Sequence, residues 1–96
     1  MKKYDLAKKV GLKLGVPAST VNKILQEATE EIKHQVAEGE RVTFGGFGTF
    51  HPKFKKATVG QDITRNKRIP IPERFVPGFI PSDDFKNKVL TLKKQK

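Results

Sequence analysis

Residues 41–50, RVTFGGFGTF, set three phenylalanines among three glycines in a chain otherwise rich in lysine. Val42 and Phe44 alternate with polar neighbours, as a strand does. The step from Phe44 to Phe47 is odd, so Gly45-Gly46 breaks the alternation, and a tight turn there starts a second strand at Gly48. Phe50, Pro52 and Phe54 then share one face of that strand, and His51, Lys53 and Lys55 the other. Helices need an apolar sheet surface to pack on, which Phe44, Phe47 and Phe50 supply; the glycines let the chain reverse and backbones approach closely. A second reading of such aromatics is a stacking platform for single-stranded bases, which Phe54 and Phe75 alone are placed to serve.

Upstream, the spacing predicts two helices. Leu6, Ala7, Val10 and Leu14 form one apolar stripe with Lys8, Lys9 and Lys13 off it. Gly15 stops this helix, and Pro17 suits the first turn of the next. Val21, Ile24, Leu25, Ala28, Ile32 and Val36 repeat at threes and fours until Gly39. Downstream, residues 57–68 hold only Val59 and Ile63 as sizeable apolar groups and read as a polar, basic hairpin. IPIPERFVPGF, from residue 69, is extended again, and its prolines confine it to an edge or make it leave the sheet often. Ser82 caps a short last helix, with Asp83 and Asp84 at its positive end and Phe85, Val89 and Leu92 along one side. The predicted fold is α+β, in the order α-α-β-β-β-α.

Composition bounds the function. A chain of 96 residues is one domain and buries only roughly two-thirds of its unfolded surface. Without Trp or Cys it has neither a large core nor disulfides, which points to a core shared between subunits. The net charge is +10, and it is uneven: residues 1–50 carry eight basic and six acidic groups, residues 51–96 twelve and four. A polyanion is the natural partner for the second half, nucleic acid first and an acidic membrane surface as rival. No stretch has the ~20 apolar residues of a spanning helix, nor the apolar core of a signal peptide, so the expected compartment is the cytoplasm. His34 and His51 stand far apart and there is no Cys, so no metal set, cofactor site or small-molecule substrate site is expected, and no enzyme. His34 reads as part of a surface cluster with Glu30, Glu31 and Glu38. Gly45-Gly46-x-Gly48 lacks the GKS/T ending of a phosphate loop.

RVTFGGFGTF after two helices, and IPIPERFVPGFIPS before a short final one, resemble the HU/IHF family of bacterial histone-like DNA-binding proteins. The resemblance runs from Lys3-x-Asp5-Leu6 to about Val89. It implies an intertwined homodimer with a helical base, a β-sheet saddle and two protruding β-ribbon arms that wrap double-stranded DNA in the minor groove. Residues 1–40 would be the helical dimerisation part, 41–80 the sheet and arm (arm about 53–74), and 81–96 the last helix and a basic tail. Phe44, Phe47, Phe50 and Phe79 would form the dimer core. The arm would contact DNA through Lys53, Lys55, Lys56, Arg65, Lys67, Arg68 and Arg74, and the body of the saddle through Lys3, Arg41, Lys86 and Lys88. The implied function is to bend, wrap or compact nucleoid DNA without reading its sequence; the alternative is an RNA-binding, ribosome-associated basic protein.

The arm tip departs from the family pattern. Where relatives usually carry R-N-P-x-T-G, this chain reads Gln61-Asp62-Ile63-Thr64-Arg65-Asn66, so Ile63 takes the place of the proline wedge. Thr58 stands at a position commonly arginine, and Arg65, Lys67 and Arg68 restore part of the lost charge one strand later.

Overall fold

The computed structural model describes residues 1–62 and 67–92, with the backbone alone at Gln61, Asp62 and Lys67. The chain divides into two compact units, Met1–Gln35 and Val36–Lys96.

The first unit is helical. Helix α1, Lys3–Leu14, begins where the Asp5 carboxylate accepts a hydrogen bond from the Lys2 N–H at 3.0 Å, satisfying one of the orphan donors of a helix start. It ends at Gly15, whose φ of 69° gives the left-handed stop predicted for it. Helix α2, Ala18–Ala37, starts one residue after Pro17, whose carbonyl accepts from the N–H groups of Thr20 and Val21. Proline thus stands just ahead of the first turn, not inside it. Ala7 on α1 and Val21 on α2 are the two apolar side chains that are buried among the described residues. The expected cluster of His34 with glutamates takes a different form: Glu30 pairs with Lys33 at 2.9 Å and Glu31 accepts from the Gln35 amide.

The second unit contains five strands and a helix: β1 (Val42–Phe44), β2 (Gly48–Lys55), β3 (Thr58–Asp62), β4 (Lys67–Ile71), β5 (Arg74–Pro81) and α3 (Asp83–Val89). Strands β1, β2 and β5 form an antiparallel sheet with β2 in the centre, and β3 and β4 a separate antiparallel pair. The three strands of the sequence reading become five because two of them are interrupted at the same level. Lys55 is opposite Arg74 and Thr58 opposite Ile71, three steps further along each strand, so the register crosses the gap unchanged. Pro72 lies in that gap, while Pro52, Pro70 and Pro77 keep their places in the paired strands. One long hairpin with a two-pair break is the result. Strand β5, which holds Pro77 and Pro81, is an edge strand, as its prolines require.

The RVTFGGFGTF turn forms as its spacing dictates. Phe47 N–H bonds to Phe44 C=O at 3.1 Å, and Gly46 in between has φ 77°. Gly48 serves close approach instead: a Cβ there would stand 2.6 Å from the Ile80 carbonyl oxygen and from the Phe79 ring. The space that glycine leaves is filled by aromatics. Phe47 lies 5.3 Å from both Phe79 and Phe85, and Phe50 lies 4.8 Å from Phe79. Phe85 reaches this cluster because Ser82 fixes the start of α3, its Oγ accepting from the Phe85 N–H at 3.2 Å. The cluster is only partly covered, with Phe44, Phe47 and Phe79 still 42%, 44% and 38% exposed.

Candidate nucleic-acid interface

Strand alternation sorts the hairpin into two unlike faces. On one, Phe50 is opposite Phe79, Pro52 opposite Pro77 and Phe54 opposite Phe75. On the other, His51 is opposite Gly78, Lys53 opposite Val76 and Lys55 opposite Arg74. Every acid-base group on that second face of β2 and β5 is basic, and Lys53, Lys55 and Arg74 are all exposed. Strand β1 accompanies β2 only from Gly48 to Phe50, so from His51 outward the hairpin is a two-stranded ribbon. A ribbon of this kind is narrow, and the fields of cations add where they lie within a Debye length, about 8 Å at physiological salt.

The unchanged register extends the sorting past the break. Arg68, opposite Gln61, has the same alternation as Arg74 and Lys55, with Val59 and Pro70 between them. Lys56 lies in the interruption, outside the paired strands, and by count is level with Glu73. Arg74 is also braced, its guanidinium donating to the Pro72 carbonyl at 3.4 Å across the start of the break.

The remaining residues singled out from sequence are more scattered. Arg41 is exposed immediately before β1; continuing the β1–β2 register by one residue sets it opposite His51. Lys3, on α1, donates to the Gln26 side chain at 3.4 Å, a tie within the helical unit. Lys86 and Lys88 are exposed on α3. Ile63 and Arg65 lie outside the described residues, and Lys67 is described by its backbone, opposite Asp62.

Phe54 and Phe75, the possible stacking platform, pack edge to face on one another at 5.2 Å and are 48% and 69% exposed. They occupy the face away from Lys53, Lys55 and Arg74, so the platform is not side by side with those three cations. Sequence reasoning assigned no role to two residues that the fold places beside the cations, His51 and Gly78. Their signal was there in the alternation, which already set His51 beside Lys53. Among the described residues no group of three His, Cys, Asp or Glu side chains could hold a metal ion, and no helix is long and apolar enough to cross a membrane.

An α+β chain with a two-faced ribbon, cationic on one side and aromatic on the other, is the class this geometry defines. Residues 1–90 match the family described as bacterial DNA-binding protein, and the chain belongs to that family. It is 38% identical to the DNA-binding protein HU of Thermotoga maritima over 89 residues, 93% of this chain and 99% of the relative. It is 30% identical to an integration host factor subunit alpha of Mesorhizobium japonicum, covering 90% of this chain and 80% of the relative. Its structure is similar to that of Anabaena HU in a cocrystal with DNA, with TM-score 0.88 and 33% identity over 96% of this chain and 100% of that one.

Proposed function

We propose that this chain is an architectural DNA-binding protein. It acts as a homodimer that grips double-stranded DNA through its ribbons and bends, wraps or compacts it without reading sequence. The observation that carries this reading is the segregation of the ribbon, with Lys53, Lys55 and Arg74 on one face and the phenylalanines on the other. Phosphates are the ligand such a row of cations suits, since each one neutralised releases condensed counterions. The likeness to an HU chain in complex with DNA supports the same conclusion.

Pairing follows from surface. Phe44, Phe47, Phe50 and Phe79 form an aromatic cluster left partly open, and a second copy is the cover we assign to it. The whole chain is then one DNA-binding domain, with residues 1–40 in dimerisation, the ribbon within about 53–74 as the arm, and 81–96 as last helix and basic tail. Arg41, Lys56, Arg65, Lys67, Arg68, Lys86 and Lys88 add charge around the central three, and Lys3 contributes at the helical end. The protein works without catalysis, cofactor or small-molecule substrate, on the nucleoid in the cytoplasm.

At the tip, Ile63 is assigned the wedge role on sequence grounds, isoleucine being among the apolar side chains that part base steps. Ile63→Ala should then lower DNA bending in a ring-closure assay more than it lowers affinity; unchanged bending removes Ile63 from the mechanism. The reading as a whole is tested by competition of duplex DNA against duplex RNA and single strands, with the mass measured in solution. Duplex DNA should win, and the mass should be that of two chains. Preference for RNA would favour a ribosome-associated role instead.

A further inference from the structure

On the cationic face, one side chain is neither lysine nor arginine. His51 is half-buried, and its ring lies across the neighbouring strand over Gly78. A Cβ on Gly78 would stand 2.7 Å from both Cε1 and Nε2 of that ring, and 3.3 Å from the Lys53 Cβ. The absence of a side chain at Gly78 is therefore what lets the imidazole lie flat between the two strands, next to Lys53. The other ring nitrogen is committed: Nδ1 is 3.2 Å from the Pro52 carbonyl oxygen. A carbonyl can only accept, so Nδ1 carries the hydrogen and the neutral ring presents a bare lone pair at Nε2.

A lone pair repels phosphate oxygen. Protonation turns the same nitrogen into a charged donor, and imidazole is the side chain that makes this change between pH 5 and 8. Among the described strand residues, the charged groups on the face of His51 are all cations. Lys53 and Lys55 come from β2, Arg74 from β5, and Arg41 from the residue before β1, while Val76 and Ile80 complete β5 with no charge. Glu40 and Glu73, the acids nearest along the chain, lie outside the paired strands, and neither is opposite His51 or its neighbours in the register. With no carboxylate among the strand residues described on this face, a phosphate is the anion the protonated ring would meet.

We infer that His51, seated over Gly78, is a phosphate contact that engages DNA only when protonated, so that duplex binding takes up protons. This rests on the DNA-binding reading above and deepens it by adding a residue and a condition.

The test is fluorescence anisotropy on a ~25 base-pair duplex at fixed salt, at pH 5.5 and pH 8.0. A phosphate beside the ring favours its charged form, so the wild-type dimer, with two copies of His51, should bind about tenfold tighter or more at pH 5.5. His51→Gln should bind weakly and nearly equally at both values. His51→Lys should bind tightly at both, restoring at pH 8.0 what the neutral ring lacks. Gly78→Ala displaces the ring and should flatten the pH response while every lysine stays in place. Equal pH responses in wild type and His51→Gln would overturn the inference and leave the DNA-binding reading standing. A failure of all variants to bind duplex at either pH would overturn that reading and the inference together.

Discussion

Lys55 and Lys56 are chemically identical neighbours, yet only Lys55 is held by strand pairing. Lys55 is opposite Arg74 in the cationic row, whereas Lys56 falls in the interruption, level with Glu73. Composition cannot separate two adjacent lysines; register can. Lys55→Ala should lower the slope of log affinity against log salt by roughly one for each phosphate left without its cation, and Lys56→Ala should leave that slope nearly unchanged. Equal reductions would mean that strand pairing does not decide which lysine meets phosphate. The glycines obey the same rule of position over type. Gly46 is needed for its backbone angle and Gly48 for the space it leaves, though the two stand a residue apart.

At the level of elements, helix α3 shows how a local signal anchors a tertiary contact. The Ser82 hydroxyl caps the helix, and the backbone it fixes is that of Phe85, whose ring stacks on Phe47 at 15° and 5.3 Å. Ser82→Ala should cost about 1 kcal/mol of stability, read from denaturant midpoints, with DNA affinity at low temperature little changed. A loss within error would mean that the stack alone holds the helix. The elements were largely legible in advance. The Gly15 stop, the Gly45-Gly46 turn, the Ser82 cap and the proline-rich edge strand each follow from a residue with a narrow backbone preference. The paired interruption at Lys56-Ala57 and Pro72-Glu73 was not, since residue type does not separate Pro72 from Pro70 and Pro77, which stay paired. The joining of Phe85 to the aromatic cluster was also unread, because helical spacing says which side is apolar but not what it meets. His51 escaped notice as a binding residue for a related reason: its seat is made by Gly78 on another strand.

For the whole molecule, charge and apolar surface have to be satisfied by different partners. Few apolar side chains are buried within the single chain, while large ones such as Phe44, Phe47 and Leu14 remain open to solvent. The aromatic side of the sheet calls for protein and the basic side for a polyanion, which is the division of labour expected of a paired DNA clamp. The claim on which this depends is that the row of Lys53, Lys55 and Arg74 meets phosphate. Its most direct measurement is a salt series of duplex affinity for the wild type and for the Lys53→Ala, Lys55→Ala, Arg74→Ala triple variant. Three cations on each of two copies should reduce the slope of log affinity against log salt by roughly 5. An unchanged slope, with the variant folded and paired, would contradict the account.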